Sequence, residues 1–181
     1  MFYKSITSFN QVSILPNTLV ICDIDETILR YDSINSQWWN NRKNNYMQQS
    51  YSYEMSDKMA LNDWKLYINE TKPVATDLNG IMQLITLILS LNSQLILLTA
   101  RENELKNITH QHLLYSGIDI SSDIIHFSYG QSKGEYISRY INHMFDKYDK
   151  IIFIDDYIVN LESVYKKYGN QIDYYKFVMD E

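Results

Sequence analysis

Acidic residues crowd together where an apolar run near the start of the chain ends. The run "LVIC" leads directly into Asp23, Ile24, Asp25 and Glu26, and Thr27 follows. Like charges about 4 Å apart repel each other by about 4 kcal/mol at an effective dielectric constant near 20. Mg²⁺ prefers oxygen ligands and offsets such repulsion. The stretch therefore predicts a metal-binding or phosphoryl-transfer site, provided that other segments supply partners.

Suitable partners follow two further apolar runs. The run "QLILLT" ends at Thr99, two residues before Arg101, and the run "KIIFID" ends at Asp155, next to Asp156. Between these runs, Lys133 stands at the start of a predicted helix in "SKGEYI". Nearly continuous apolar runs are typical of parallel strands buried on both faces, and ligands bind at the carboxyl ends of such strands. We therefore expect these side chains to meet at one edge of the sheet.

The residue types divide the expected chemistry among them. Oxygen ligands for Mg²⁺ would come from Asp23 together with Asp155, Asp156 or both. The Thr99 hydroxyl and the Lys133 ammonium suit phosphoryl oxygens, and Arg101 is a candidate for substrate binding. Asp25 is placed to act as general acid and base on the leaving group and the incoming water.

The order of the predicted elements indicates the fold. Apolar runs alternate with helical patterns, which favours an α/β, Rossmann-like three-layer sandwich with a mainly parallel sheet. One helix is predicted to begin at Thr76 or Asp77, since both residues are good N-caps. The segment "IDYYKFVM" near the C-terminus predicts a last strand at the edge of the sheet.

Residues 31–72 interrupt this alternation. The segment is polar, rich in amides and aromatic residues, and too long for an ordinary connection. It predicts a mainly helical insertion over the carboxyl end of the first strand, with Trp38, Trp39 and Trp64 in its small core. Direct substrate contact by Trp38 or Trp39 is the alternative. The catalytic core would then comprise residues 1–30 and 73–181.

Composition narrows the partners and the compartment. The net charge of -6 disfavours extensive binding to nucleic-acid backbones, although it leaves open a small phosphorylated substrate, a nucleotide or a polynucleotide end. Cys22 is the single cysteine, so a reducing compartment fits. The longest apolar helical stretch is too short for a membrane span. We expect a soluble, cytoplasmic protein that does not bind a membrane.

Taken in order, these residues resemble the motifs of the haloacid dehalogenase (HAD) superfamily. Its motifs are D-x-D-x-T, a Thr or Ser ending a strand, a Lys heading a helix, and acidic residues ending a strand. The matching residues are Asp23, Asp25, Thr27, Thr99, Lys133, Asp155 and Asp156. The resemblance covers about residues 19–165 and implies a Mg²⁺-dependent phosphohydrolase.

The resemblance also implies a role for each matching residue. Asp23 would attack phosphorus and form an aspartyl-phosphate. Asp25 would protonate the leaving oxygen, then activate water, and its backbone carbonyl would bind Mg²⁺. Thr99 and Lys133 would hold and neutralise the phosphoryl group. Thr27 is expected to brace the loop.

Two further expectations come from alignment with the family. Many members carry a second acid four residues beyond the metal ligand, and counting from Asp156 places Asn160 there, which favours Asp156 over Asp155 as the direct ligand. The insertion, residues 31–72, stands where the family has a type 1 cap, a lid that selects the substrate. Asp25 favours phosphomonoester hydrolysis, while a phosphotransferase or phosphomutase and a non-catalytic, partner-binding scaffold stay open as alternatives.

Overall fold

The central sheet has six parallel strands in the order β1-β8-β7-β2-β5-β6. The structure, a computed structural model, describes residues 2–179. The strands in chain order are β1 (Tyr3–Ile6), β2 (Thr18–Cys22), β3 (Leu29–Arg30), β4 (Val74–Ala75), β5 (Gln94–Thr99), β6 (Ile125–Phe127), β7 (Lys150–Asp155) and β8 (Asp173–Phe177). The helices are α1 (Ser36–Gln48), α2 (Tyr53–Glu70), α3 (Leu78–Ser90), α4 (Lys106–Tyr115), α5 (Lys133–Tyr136) and α6 (Ile158–Tyr168).

The apolar runs form the middle of this sheet because both of its faces are covered. Along β2, Val20 and Cys22 pack into one apolar core beside α3, while Leu19 and Ile21 pack into a second core beside α6. Successive side chains of a strand point to opposite faces, so a strand between two helical layers must be apolar throughout. The predicted three-layer α/β sandwich is thereby confirmed.

The C-terminal strand is not at the edge of the sheet, so that prediction was wrong. β8 lies between β7 and β1, with Tyr174 paired to Tyr3 and Phe177 to Ile6. The edge strands are β1 and β6, which have four and three residues. Neither strand carries an apolar run long enough to stand out from the sequence.

The predicted insertion contains two helices, α1 and α2, which an ion pair joins. The Nε of Arg42 lies 2.6 Å from a carboxylate oxygen of Asp63. Beneath the helices, β3 and β4 pair antiparallel where the segment leaves and re-enters the core. A small apolar cluster ties the insertion to the core, and its members are Tyr31, Ile34, Ile68 and Leu105, with Trp38, Trp64, Tyr67 and Ile108 packed around them.

Helix α3 starts where the sequence predicted. Asp77 is its N-cap and accepts a hydrogen bond of 3.0 Å from the backbone N–H of Gly80. Within residues 2–179, no helix combines the length and the apolar character needed to cross a membrane.

Candidate active site at the carboxyl edge of the sheet

Asp23 lies immediately after the central strand β2 and is held by hydrogen bonds. Its backbone N–H donates to the carbonyl of Ile154 at 2.9 Å, which extends the pairing with β7 by one residue. The Thr27 hydroxyl donates to the Asp23 carboxylate at 3.1 Å. A tight turn brings Thr27 back, because the N–H groups of Ile28 and Leu29 both donate to the carbonyl of Ile24 at 2.8 Å. Thr27 braces the loop, as the sequence indicated.

Lys133 projects from the first turn of α5 to a position between two buried carboxylates. Its Nζ donates to Asp23 and, at 2.6 Å, to Asp155. Only 1% of the Lys133 residue is exposed. Burial alone would lower the pKa of this ammonium, but the two carboxylates raise it above its usual value. Lys133 is therefore held in its charged form.

A glycine allows the helix that carries Lys133 to approach its neighbour. A Cβ atom at Gly134 would lie 2.1 Å from the backbone carbonyl oxygen of Ser163 in α6. The Gly134 N–H instead donates to the Ser163 hydroxyl at 3.1 Å. The close approach of α5 to α6 places Lys133 next to the end of β7.

The two acidic residues after β7 have different surroundings. Asp155 is fully buried, and besides Lys133 it accepts hydrogen bonds from the Tyr157 N–H at 2.9 Å and the Asn160 amide at 3.1 Å. Asp156 is half-buried, and its backbone N–H donates to the Thr27 hydroxyl at 3.0 Å, while its carboxylate lies 3.2 Å from that hydroxyl. Burial, and then the charge of Asp155, raise the pKa of Asp156 to about 6.

Three carboxylates meet closely enough to share one cation. One oxygen from each of Asp23, Asp155 and Asp156 lies within 4.8 Å of the others. Burial raises the pKa of Asp23 even though Lys133 acts against this. Three acids beside one ammonium leave an excess of negative charge that a hard divalent cation would neutralise. The donor set fits such a cation.

Asp25 is not part of this three-carboxylate cluster and forms an ion pair with Arg101. The Arg101 Nε and Nη2 atoms donate to the two oxygens of Asp25 at 3.0 and 2.6 Å, and the Thr99 hydroxyl donates to it at 3.2 Å. Burial would raise the pKa of Asp25, but the Arg101 charge and these hydrogen bonds lower it below its usual value. Arg101 thus favours the ionised form of the Asp25 carboxylate.

A second layer of polar groups holds the Arg101 side chain. Its Nη1 donates to the Thr109 hydroxyl at 3.0 Å and its Nη2 to the Tyr31 hydroxyl at 3.1 Å. The Tyr31 hydroxyl lies 2.9 Å from Nδ1 of His112. Thr109 and His112 are three residues apart on α4, a spacing that indicates a shared face, but nothing in the sequence indicates what that face contacts. The sequence did not predict these three residues as parts of the site.

Two adjoining cavities open above these carboxylates. The larger, of about 420 Å³, reaches from the Asp cluster to the insertion, and its lining includes Asp23, Asp25, Asp156, Trp39, Trp64 and Asn160. The smaller, of about 250 Å³, borders Asp25 and Arg101 and is lined mainly by apolar atoms, including those of Trp39, Leu61, Trp64 and Tyr129. If the phosphoryl group of a substrate lay near Asp23, the organic part of that substrate would have room beneath the insertion, residues 31–72.

The structure brings the sequence-predicted site residues to one edge of the sheet. Asp23, Asp25, Thr99, Lys133, Asp155 and Asp156 lie there together. Arg101 is also present, but with 3% of its surface exposed and its guanidinium bonded to Asp25, its direct contact with a substrate stays a prediction. Glu26 lines the larger cavity and has a positive φ of 60°, and burial raises its pKa to about 7.

Comparisons with solved structures show the same fold in acid phosphatases. The class C acid phosphatase of Bacillus anthracis is similar to this chain with a TM-score of 0.54 at 14% identity. The tungstate-bound structure of class C acid phosphatase from the same organism gives 0.54 at 16% identity. Each comparison covers 93% of this chain and 70% of the phosphatase. Class C acid phosphatases are members of the HAD superfamily, so the HAD-like fold is shown.

Sequence comparisons give a family but no characterised relative. A search of curated proteins finds no match. A family model matches residues 4–126 and 122–181, which together span nearly the whole chain. The chain therefore belongs to the family described as "Protein of unknown function (DUF2608)".

Proposed function

We propose that this protein is a Mg²⁺-dependent phosphomonoester hydrolase that works through an aspartyl-phosphate on Asp23. The observation that supports this most strongly is that Asp23 and Asp25 line one cavity and that Asp23 also forms a carboxylate cluster with Asp155 and Asp156. The fold shared with acid phosphatases supports the same reaction class. The substrate would be a small phosphorylated molecule.

Asp23 would act as the nucleophile. Lys133 and Thr27 hold its two oxygens, so the carboxylate is fixed before substrate arrives. A carboxylate oxygen would attack phosphorus, forming an O–P bond as the bond to the leaving oxygen breaks. Holding the nucleophile in place lowers the entropic part of the barrier.

Asp25 would donate a proton in the first half-reaction and accept one in the second. In the first, its protonated form would give a proton to the leaving oxygen, so that an alcohol departs. In the second, its ionised form would take a proton from the water that attacks the phosphorus of the aspartyl-phosphate. That step releases inorganic phosphate and restores the Asp23 carboxylate. Thr99 and Lys133 would stabilise the phosphoryl oxygens.

Mg²⁺ would be held by Asp23, the Asp25 backbone carbonyl and one of the two acids after β7, Asp155 or Asp156. We favour Asp156 over Asp155 as the direct ligand because Asp155 already accepts hydrogen bonds from Lys133, Tyr157 and Asn160. When bound, Mg²⁺ supplies positive charge that offsets the charge of the phosphoryl oxygens.

We also propose that residues 31–72 act as a type 1 cap over a core of residues 1–30 and 73–181. The cavity between the Asp cluster and α1–α2 is where such a cap would contact the organic part of the substrate. The thiol of Cys22 is free and buried, which agrees with a cytoplasmic location.

The test is phosphate release from 4-nitrophenyl phosphate and a panel of phosphorylated metabolites. We expect Mg²⁺-dependent release that a chelator abolishes and that Asp23→Asn reduces on the order of 10⁴-fold or more. Asp146→Asn, at an exposed acid, is the matched control. Unchanged release by a folded Asp23→Asn variant, or inactivity of the wild type on every compound, would contradict the proposal. Transfer of phosphate to an added alcohol would identify a phosphotransferase instead.

A further inference from the structure

Arg101 makes a two-point contact with the Asp25 carboxylate. The distances are 3.0 Å from Nε to one oxygen and 2.6 Å from Nη2 to the other. A forked guanidinium–carboxylate pair fixes the plane of the carboxylate as well as its position. The orientation of Asp25 is therefore set by Arg101.

Arg101 itself is held on its remaining sides. Nη1 donates to Thr109, Nη2 also donates to Tyr31, and the guanidinium lies 5.4 Å from the centre of the Trp64 ring. The Arg101 backbone N–H donates to the Thr99 hydroxyl at 3.1 Å. Arg101 borders the smaller cavity, but its side chain is only 1% exposed and its Nε, Nη1 and Nη2 atoms all donate to protein groups.

We propose that Arg101 is a positioning residue that holds the Asp25 carboxylate at the leaving-group side of the site, and that it does not bind the substrate. This inference rests on the proposed function, in which Asp25 transfers protons. Two of the groups that hold Arg101, Tyr31 and Trp64, belong to the insertion, residues 31–72. The insertion thus contributes to the placement of Asp25 as well as to the cavity wall.

A positioning role has a kinetic signature that other roles lack. An alkyl leaving group must be protonated as it departs, whereas 2,4-dinitrophenolate departs readily without a proton. Asp25 would also activate the water that attacks the aspartyl-phosphate, and this step is common to both substrates. The ratio kcat/KM covers only the steps up to formation of the aspartyl-phosphate, so misplacing Asp25 should lower kcat/KM for an alkyl phosphate much more than for 2,4-dinitrophenyl phosphate. Loss of a substrate contact would instead lower kcat/KM for both compounds alike.

The experiment compares kcat/KM of Arg101→Gln and Arg101→Lys on these two kinds of substrate. We expect kcat/KM for an alkyl phosphate to fall about 10²-fold, within the range that a placed general acid contributes. For 2,4-dinitrophenyl phosphate, kcat/KM should fall less than about tenfold, because this leaving group needs no proton. Arg139→Gln, at an exposed arginine, is the matched control.

A double-mutant cycle separates an effect through Asp25 from an independent one. If Arg101 acts through Asp25, adding Arg101→Gln to Asp25→Asn should reduce kcat/KM for an alkyl phosphate little further. Losses that multiply, or an equal fall in kcat/KM for both substrates, would overturn the inference while the wild type still hydrolyses phosphate esters. A wild type inert on every substrate would overturn the proposed function and this inference together.

Tyr31→Phe keeps the test decisive if the Arg101 variants fail to fold. It removes one hydrogen bond behind the guanidinium and leaves the contact with Asp25. The same preference for 2,4-dinitrophenyl phosphate, at smaller amplitude, would support the inference. Equal losses on both substrates would contradict it.

Discussion

At the scale of single residues, Lys133 determines whether the carboxylate cluster can be buried. Moving charges out of water costs several kcal/mol per ion, and close pairing recovers this only where the geometry is good. The Lys133 ammonium donates to both Asp23 and Asp155, and all three groups are nearly inaccessible to solvent. Removing the ammonium would leave two buried carboxylates without this partner.

We therefore predict that Lys133→Met lowers the free energy of unfolding by about 3–5 kcal/mol, the cost of breaking a buried ion pair. Urea unfolding in a chelator would measure this loss, and phosphate release should also disappear. Lys147→Met, at an exposed lysine, is the control. A Lys133→Met protein as stable as the control would contradict this account of the cluster.

His112 gives the fold a dependence on pH. Burial, and then the nearby Arg101 charge, lower its pKa to about 4. In the unfolded chain His has a pKa of about 6.5. Between pH 4 and pH 6.5 the unfolded chain therefore binds more protons than the folded chain does. The contribution of His112 to stability is therefore complete above about pH 6.5 and is lost as the pH falls towards 4.

We predict that His112→Gln flattens the fall in stability between pH 7 and about pH 4.5. The raised pKa values of Glu26, about 7, and Asp156, about 6, act in the opposite direction, because the folded chain then binds the extra proton. The measurement is consequently the difference between wild-type and variant urea midpoints at each pH. A difference that does not change with pH would show that His112 does not titrate as described.

At the scale of elements, helix α1 presents its two adjacent tryptophans to different surroundings. Trp39 lines both cavities above the Asp cluster, whereas Trp38 packs with the apolar cluster beneath the insertion. Adjacent residues on a helix point in directions about 100° apart, so one can face a cavity while the other faces a core. The sequence left open whether these tryptophans form a core or contact a substrate, and only Trp39 is placed for contact.

We predict that Trp39→Ala raises KM for aryl phosphates by about tenfold, since an aromatic contact of about 1.4 kcal/mol corresponds to that factor. Trp38→Ala, the matched control, should lower stability and leave KM nearly unchanged. Steady-state kinetics and thermal unfolding of both variants measure the two effects. A larger KM change in Trp38→Ala would contradict this division of roles.

At the scale of the whole molecule, the carboxylate cluster links folding to metal binding. Asp23 follows directly after β2, Asp155 ends the adjacent strand β7, and Asp156 comes next in the chain. Folding brings the three acids together, and a cation that binds only the folded chain stabilises it. Without a bound cation, repulsion among these carboxylates destabilises the folded chain.

We predict that Mg²⁺ at a hundredfold excess over its Kd raises the free energy of unfolding by about 2.7 kcal/mol. In a chelator, Asp156→Asn should be more stable than the wild type because one like charge is gone, and it should respond less to Mg²⁺. Thermal unfolding with and without Mg²⁺ tests both expectations. If Mg²⁺ does not change the unfolding temperature of the wild type, a magnesium site at this cluster is excluded.

The chain by itself determined the layer fold and the residues that meet at the sheet edge. Continuous apolar runs can be buried on both faces only in a covered parallel sheet, and the carboxyl ends of such strands share one edge. That physical rule brings Asp23, Thr99 and Asp155 together without knowledge of the coordinates. It does not establish their chemical roles, which stay predictions.

Only the tertiary structure decided the pairing of Arg101 with Asp25, the hydrogen bonds that Arg101 donates to Tyr31 and Thr109, and the position of β8 inside the sheet. These contacts join segments far apart in the chain, and neither hydrophobic periodicity nor local spacing encodes which polar groups will meet. Short edge strands such as β1 carry little apolar pattern because a half-solvated strand has no requirement for one.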